Sequence, residues 1–394
     1  MGSHQLRRLV VGSVLVTLIG CIPDGGSPPL PTTTSVTTTV TPTTVVVGAA
    51  VSGYERPTDT GAALPGGGAI VVVHVPSAGS GPGIGGPWPV WQYTGTSIST
   101  ISANPAVGSV PGAPPFRDFL SSYGPGWSRV ATGAGGSGST FPIEIHTVSP
   151  FVPMSPTPLG TLSPTSSSGA FISRSWSPDG RYLAVVADPV GASSTDLFVF
   201  DTIGFTEVRH ATFAASPSLS DLYPARTAWT TDSAEILVGT SSGIRSFALS
   251  GPGGDSSAPW PVAKPCGVSD VSTGGRVAIV CRNGVGSDSL FNLYTQERDG
   301  SDARLVITPT LVRPIGTPAA GISPEAFFSP DGNFLAVNLN TWPGLTDTRG
   351  GLAVVADEPL ATPVLLTIPT SGTPAGAATG GDAPIGWIAA PLQP

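Results

Sequence analysis

The sequence has 394 residues, and its 52 glycines and 43 prolines are about twice their ordinary share. Only 11% of the residues are charged, which excludes a charge-rich disordered protein and a coiled coil, while 40% are hydrophobic, enough for a sizeable core. The formal net charge of −8 is opposite to the basic balance of nucleic-acid-binding proteins, so we expect no nucleic-acid partner.

Residues 1–20 have the pattern of an export signal. Arg7 and Arg8 precede an apolar run, residues 9–20, that is too short to cross a bilayer as a helix. The run ends in a small residue directly before Cys21. This arrangement resembles the lipobox of bacterial lipoproteins, and the resemblance implies that Cys21 is lipidated and becomes the new N-terminus. An ordinary signal peptide followed by a chance cysteine is the alternative.

The segment after Cys21 is predicted to be a flexible stalk. Residues 22–44 are almost all Thr, Pro, Ser, Gly and Val, and they lack the large apolar side chains that offset the entropy of ordering. Pro and β-branched Thr favour extended backbone, which would hold a following domain away from a membrane. We therefore divide the chain into the signal peptide, the lipidated cysteine with its disordered Thr/Pro-rich linker (residues 21–51), and a folded domain (residues 52–394).

The folded domain has the pattern of strands separated by Gly- and Pro-rich turns, without a convincing amphipathic helix. One ten-residue pattern occurs as WSPDGRYLAV (residues 176–185), as FSPDGNFLAV (residues 328–337) and, in degenerate form, as WTTDSAEILV (residues 229–238). Its Pro presets φ, its Asp accepts hydrogen bonds from nearby backbone, and its Gly takes a positive φ, which together predict a tight turn. We expect the aromatic residue before each turn (Trp176, Trp229 or Phe328) to pack between neighbouring units.

Each unit also carries a second hairpin, best seen where Asp299-Gly300 forms a tight-turn pair within residues 293–305. The first turns recur at positions 67, 126, 180, 233, 275 and 332, a spacing typical of repeat architectures. Four strands per unit, repeated about six times, predict an all-β fold, a six-bladed β-propeller, with seven blades as the alternative.

The SPDG turn with its following strand, and the pattern Asp299-Gly300-Ser301-x-x-Arg304-Leu305, resemble the WD40-like PD40 repeats of TolB-type six-bladed propellers. The resemblance covers roughly residues 53–394, and two SPDG copies match closely. It implies the fold and says little about function. TolB has a folded α/β domain before its propeller, where this sequence has the Thr/Pro-rich segment, so we do not expect a TolB role in the Tol–Pal system.

Ring closure is expected to involve the C-terminal run, residues 384–390. Trp387 resembles the aromatic position of an inner strand, and an open ring would leave sheet edges exposed. We therefore expect this run to pair with the strand at residues 69–75, which joins the last unit to the first.

Two cysteines remain besides Cys21, namely Cys266 and Cys281. In an unbulged hairpin with Thr273-Gly274 at its tip, these two residues lie directly opposite each other, with Cα atoms about 4.5–5.5 Å apart. A disulfide accepts this separation, and exported proteins commonly form disulfides. We predict a Cys266–Cys281 disulfide, with two reduced core cysteines as the alternative.

Two motifs with catalytic or nucleotide-binding associations do not have the required context. Residues 239–243 fit the nucleophile pattern G-x-S-x-G, but a strand pattern follows them and no histidine occurs after His210, so a hairpin turn is predicted. Residues 133–138 fit G-x-G-x-x-G without the strand and helix of a dinucleotide site.

The histidines His74, His146 and His210 are far apart in sequence, and we expect structural or surface roles for them. Arg174 and Arg226 are candidate channel-mouth positions to which we assign no function. The sequence therefore gives no catalytic residue, no cofactor-binding residue, no metal ligand and no cofactor.

Two classes of function fit these observations. The first is a lipid-anchored extracytoplasmic propeller in the cell envelope that acts as a binding or scaffold module for an envelope protein or polymer. The second is an extracytoplasmic propeller enzyme, of the lyase or lactonase type, that acts on a sugar-like ligand. We favour the first, because the anchor and stalk suit a tethered binding module and no catalytic spacing is present.

Overall fold

The computed structural model describes residues 63–76, 90–96, 98–102, 124–133, 142–147, 157–165, 170–188, 194–214, 227–250, 256–263, 266–283, 290–308, 320–341, 351–366 and 380–392. The chain divides into two compact units, Met1–Val47 and Gly48–Pro394, and every described residue belongs to the second. The predicted signal peptide, Cys21 and the Thr/Pro-rich linker lie outside the described residues.

The described residues form six antiparallel sheets, five with four strands and one with three. Sheet 1 contains β1 (Ala69–Pro76), β2 (Val90–Tyr93), β3 (Ile98–Ser102) and β23 (Gly380–Ile388). Sheet 2 contains β4 (Arg129–Gly133), β5 (Ile143–Thr147) and β6 (Gly160–Leu162), preceded by a 3₁₀ turn at Pro125–Trp127. Sheet 3 contains β7 (Ala170–Trp176), β8 (Tyr182–Asp188), β9 (Ser194–Asp201) and β10 (Thr206–Ala214).

The remaining sheets follow in chain order. Sheet 4 contains β11 (Thr227–Trp229), β12 (Glu235–Thr240), β13 (Gly243–Ala248) and β14 (Ser256–Ala258). Sheet 5 contains β15 (Cys266–Val271), β16 (Val277–Asn283), β17 (Leu290–Gln296) and β18 (Arg304–Ile307). Sheet 6 contains β19 (Ala320–Phe328), β20 (Phe334–Thr341), β21 (Gly351–Ala356) and β22 (Val364–Leu365).

The hydrophobic core lies between the faces of neighbouring sheets, as in a β-propeller. Separate clusters of buried side chains join sheet 2 to sheet 3, sheet 3 to sheet 4, sheet 4 to sheet 5, sheet 5 to sheet 6 and sheet 6 to sheet 1. The strands are apolar on both faces for this reason: Leu183 of β8 packs toward sheet 2, and its neighbour Ala184 packs toward sheet 4. The all-β propeller prediction is confirmed, and the number of blades stays a prediction.

The C-terminal strand closes the first sheet, as expected. β23 pairs with β1 in antiparallel register, and Trp387 lies opposite Ile70. The indole packs into the cluster between sheets 6 and 1, and its Nε1–H donates to the carbonyl of Gly67 at 2.8 Å. The two ends of the domain thereby share one sheet, which removes two open edges.

The SPDG turns owe their shape to the hydroxyl and carboxylate of the motif. Ser177 Oγ donates to Asp179 Oδ1 at 2.5 Å and accepts from the N–H of Tyr182 at 2.8 Å. Ser329 and Asp331 repeat this arrangement in sheet 6, and Thr230 and Asp232 repeat it in sheet 4. The shared geometry confirms that the degenerate copy is a structural equivalent of the two close ones.

The fourth position of each turn has a left-handed backbone. Gly180 and Gly332 have φ of +69° and +76°, while Ser233 occupies the equivalent place with φ of +60°. A side chain is unfavourable in this conformation. The Ser233 hydroxyl compensates in part, because it accepts a hydrogen bond from the N–H of Asp179 in the neighbouring sheet at 3.2 Å.

The aromatic residues before the turns pack between sheets, as predicted. Trp176 joins the cluster between sheets 2 and 3, Trp229 the cluster between sheets 3 and 4, and Phe328 the cluster between sheets 5 and 6. Trp229 Nε1–H also donates to the carbonyl of Ser175 in sheet 3 at 3.1 Å. Each of these rings therefore stabilises a contact between units, in addition to its own hairpin.

The expected hairpin tip at Thr273-Gly274 is wrong in detail, although the disulfide it predicted is present. Val271 pairs with Val277, which leaves three residues beyond the Ser272–Arg276 pair, and a bulge between Val268 and Asp270 then shifts the register by one. The longer turn and the bulge compensate each other. Cys266 and Cys281 consequently lie opposite each other and form a disulfide, with Cα atoms 4.0 Å apart.

The turn carboxylates are expected to make stability depend on pH. The pKa of Asp331 is lowered, chiefly by the hydrogen bond from Ser329, and that of Asp232 chiefly by the hydrogen bond from Thr230. A lowered pKa in the folded state contributes stability above the ordinary carboxyl value of 3.8, and this contribution is lost as the pH falls through the folded-state pKa.

We therefore expect Asp331→Asn to lower the free energy of unfolding by about 1 kcal/mol at neutral pH, since a charge-assisted hydrogen bond becomes a neutral one. The difference from the parent protein should shrink as the pH falls below 3.8 and through the lower pKa of the folded parent, where its carboxylate takes up a proton. Urea titrations from pH 7 to pH 2.5 measure this. A difference that stays constant over that range would show that the carboxylate charge is not responsible.

Candidate functional site

The candidate site is a groove between sheets 5 and 6, at the edge where their tight turns lie. Sheet 5 supplies the turn around Gly274 and the start of the turn that follows β17. Sheet 6 supplies the Asp331-Gly332 turn and the residues after β21. Together they enclose about 570 Å³, a volume typical of ligand pockets. We call this cavity the inter-sheet groove.

The wall of the inter-sheet groove is built around the buried carboxylate of Asp357, whose side chain is 6% exposed. Arg276 Nε lies 2.8 Å from Asp357 Oδ2, and Thr295 Oγ1 donates to Asp357 Oδ1 at 2.5 Å. Arg304 Nη1 donates to the Asp357 main-chain carbonyl at 3.0 Å. Arg276, Thr295 and Arg304 belong to sheet 5 and Asp357 to sheet 6, so this network fixes the two sheets relative to each other at the groove.

The two arginines have further carboxylate partners on their own sheet. Arg276 Nη1 donates to Glu297 Oε1 at 2.6 Å and to Asp302 Oδ2 at 2.8 Å. Arg304 Nη2 donates to Asp302 Oδ2 at 2.5 Å, and this hydrogen bond is the main cause of the lowered pKa of Asp302. Both guanidinium groups are therefore engaged by carboxylates of the protein itself.

Two exposed carboxylates complete the lining on the side of sheet 6. Asp331 lies in the SPDG turn, where its carboxylate accepts hydrogen bonds from Ser329 Oγ and Asn333, and Glu358 follows the buried Asp357. We call Asp331 and Glu358 the rim carboxylates. The ionisable residues of the groove lining are two arginines and four carboxylates, a formal balance of −2.

The disulfide lies in the same hairpin as Arg276 but at its other end. Cys266 is the first residue of β15, whereas the turn that carries Arg276 follows the last residue of that strand. Both cysteines are buried, at 2% and 1% exposure, and pack against sheet 4. The bond is part of the scaffold behind the groove and is not part of its lining.

The histidines lie on three different sheets. His74 is in β1, His146 in β5 and His210 in β10. His146 Nε2 lies 3.2 Å from Glu144 Oε2, and His210 Nε2 lies 3.2 Å from Asp196 Oδ1, each on its own sheet. Among the residues that the structure describes, His, Cys, Asp and Glu form no group of three or more that could hold a metal ion.

The structure describes one of the two candidate channel-mouth arginines. Arg174 of β7 is 1% exposed and is therefore buried in the protein, while Arg226 lies outside the described residues.

The predicted hairpin at residues 239–243 is confirmed, because Thr240 pairs with Gly243 and Trp260 Nε1–H donates to the Thr240 carbonyl at 2.9 Å. No nucleophile elbow is present there. In the G-x-G-x-x-G match, Gly133 ends β4 and the remaining residues lie outside the described residues.

Sequence reasoning missed the groove, although a weak signal for it was present. Arg276 follows the turn residue Gly275, as Arg181 follows Gly180, and Arg304 is the arginine of the Asp-Gly-Ser-x-x-Arg pattern. These arginines belong to the repeat pattern that predicted the turns. The partner Asp357 comes from another repeat and carries no motif of its own.

Comparison with known proteins gives fold likeness only. No model of a protein family matches the chain, and no curated protein matches it. One similar solved structure is a prolyl endopeptidase, with a TM-score of 0.40 and 14% identity over 64% of this chain and 37% of that one. A second is a putative TolB from Agrobacterium tumefaciens, with a TM-score of 0.43 and 12% identity over 76% of this chain and 89% of that one. A third is the β-propeller domain of the Trilobed protease from Pyrococcus furiosus, with a TM-score of 0.37 and 12% identity over 68% of this chain and 72% of that one. This chain thus spans little more than a third of the prolyl endopeptidase. Likeness at these scores carries no argument about function, and the propeller architecture rests on the strand pairing described above.

Proposed function

We propose that this protein is a lipid-anchored extracytoplasmic β-propeller that acts as a binding module for a protein or polymer of the cell envelope. The observation that carries the proposal is the inter-sheet groove, an open cavity with a preorganised polar wall. Preorganised walls favour binding because little side-chain entropy is lost when a partner docks.

The wall is preorganised because its charged groups are already fixed by one another. Asp357 is held by contacts from Arg276, Arg304 and Thr295, all from the neighbouring sheet. Separating the partners of such a buried pair would leave an uncompensated buried charge, which costs free energy. The side chains therefore keep their paired geometry. The rim carboxylates lie at the exposed side, where a partner can reach them.

The N-terminal sequence supports the envelope location. A charged pair, a short apolar run and a small residue before Cys21 agree with a lipoprotein signal, and the Thr/Pro-rich residues that follow suit a tether. In the part of the chain that the structure describes, no helix is long and apolar enough to cross a membrane. The proposed attachment, through lipid on Cys21, rests on the lipobox-like pattern alone.

The anchor is tested by Cys21→Ser, which removes the only thiol in the lipobox-like segment. We expect the variant to move from the membrane fraction to the soluble or secreted fraction, because a diacylglycerol anchor supplies the membrane affinity. Fractionation followed by immunoblotting measures this, with Ser27→Ala in the linker as a control that should remain with membranes. Membrane partitioning of Cys21→Ser equal to that of the parent would contradict lipid attachment.

The binding role is tested by crosslinking the tagged protein in intact cells and identifying the captured material by mass spectrometry. We expect an envelope component that is recovered in stoichiometric amount and lost when the rim carboxylates are changed together to Asn and Gln. If the parent and the changed protein capture equal amounts of this component, a binding role for the groove is overturned. Capture of a small sugar-like ligand with turnover would instead support the alternative, a propeller enzyme of the lyase or lactonase type.

A further inference from the structure

The inter-sheet groove also indicates the chemistry of its partner, an inference that rests on the binding role proposed above. We infer that the groove receives a basic protein segment, with a lysine or arginine side chain placed between the rim carboxylates and the wall. Three features of the groove favour such a segment: the net negative charge of its lining, the aromatic side chain beside these charges, and the open space over one of its turns.

The charged groups of the groove favour a cation over an anion. Arg276 donates to Glu297, to Asp302 and to Thr295, while its Nε faces Asp357. An anion entering the groove would have to displace carboxylates that already hold these donors. A cation does not have to displace an arginine, because the exposed Glu358 and the exposed Asp331, which accepts only neutral donors from its own turn, can receive it, and the lining carries a formal excess of two negative charges.

An aromatic side chain lies next to the charged groups of the groove. Phe334 is partly buried and lines the groove beside Asp331 and Asn333. Lysine and arginine combine an aliphatic stem with a charged head, so the stem can pack on an aromatic ring while the head reaches a carboxylate. Phe334 and the rim carboxylates supply both kinds of contact within one cavity.

The glycines of the two turns determine access to the groove. Gly274 and Gly332 form part of the lining, and a Cβ atom added at Gly274 would meet nothing closer than Ser272 Oγ at 3.8 Å. A Cβ atom at Gly332 would lie 3.3 Å from Thr273 Oγ1. The turn of sheet 6 therefore closes on the turn of sheet 5, while the space over Gly274 remains open to an incoming chain.

The test uses the purified full chain with Cys21→Ser and its disulfide intact, and fluorescein-labelled tetralysine amide as the probe. We expect saturable binding by fluorescence anisotropy that weakens as salt rises, and no binding of the same peptide with acetylated lysine side chains. Glu358→Gln should weaken binding about 3- to 5-fold, as expected for one partly exposed charge pair, and Glu358→Lys more than about 10-fold.

Asp299→Asn is the matched control, because Asp299 is an exposed carboxylate that does not itself line the groove, although Glu297 at the start of the same turn does. We expect its affinity to equal that of the parent. Equal effects of Asp299→Asn and Glu358→Gln would show that net charge, and not the groove, binds the probe, and would overturn the inference. Tighter groove-dependent binding of a glucosamine tetramer would overturn it as well, in favour of an amino-sugar polymer.

Failure of this inference can be distinguished from failure of the proposed envelope function. Peptide binding is measured on purified protein and does not depend on where the chain resides in the cell. If the purified protein does not bind the peptide but still captures an envelope partner in cells, only the basic-segment inference is refuted. Groove-dependent peptide binding without any partner in cells would instead count against the proposed envelope function.

Discussion

Trp387→Ala is expected to lower the free energy of unfolding by about 3–5 kcal/mol, the usual cost of removing a large buried aromatic side chain. Trp387 is 9% exposed and packs with Ile70, Tyr93 and Leu352 in the cluster between sheets 6 and 1. Its indole N–H also donates to the Gly67 carbonyl. The loss is large because β23 holds the C-terminal end of the domain in its first sheet.

Urea unfolding followed by far-ultraviolet circular dichroism measures this effect, and Trp387→Phe is the matched control. Phenylalanine keeps most of the ring contacts and loses the hydrogen bond, so its cost should be about 1 kcal/mol. A cost below 1 kcal/mol for the alanine variant would mean that the contact between β1 and β23 contributes little to stability. A variant that unfolds in steps would indicate that the ring opens before the other sheets unfold.

Closure could be predicted from the sequence because it depends on a repeated local pattern. Trp387 occupies the same position relative to its partner strand as Trp176 does, since Trp387 pairs with Ile70 and Trp176 with Leu183. The SPDG turns were predictable for the same reason, because each is determined by residues within five positions of one another. Periodic, local features of this kind give a reliable account of a repeat fold.

The groove could not be predicted, because its contacts join residues that are distant in sequence. Arg276 and Asp357 are brought together only when sheets 5 and 6 pack face to face. Asp357 lies just after β21, where its sequence context resembles that of any strand end. The hairpin of sheet 5 shows a different limit: a bulge near Ser269 adds one residue to a strand without a distinctive residue to mark it. Register predicted by counting therefore placed the turn wrongly while still placing the cysteines correctly.

Replacing both cysteines by alanine is expected to lower the free energy of unfolding by about 3 kcal/mol, because the disulfide closes a short loop in the unfolded chain. The bond joins Cys266 to Cys281, 15 positions apart, across the first two strands of sheet 5. Both residues contact the cluster shared with sheet 4, so a small packing loss adds to the entropic effect. Thermal unfolding of the Cys21→Ser parent, with and without the double change, measures the difference.

Reduction provides an independent test of the same bond. Because Cys266 and Cys281 are almost fully buried, dithiothreitol should lower the midpoint of unfolding of the parent to that of the alanine variant only after a cycle of unfolding and refolding. The alanine variant should be insensitive to the reductant. Equal midpoints for all samples would mean that the bond adds no stability. At temperatures well below its midpoint of unfolding, the alanine variant should still bind the peptide. The disulfide lies at the end of the hairpin away from Arg276, and Asp357 of the neighbouring sheet fixes the position of Arg276.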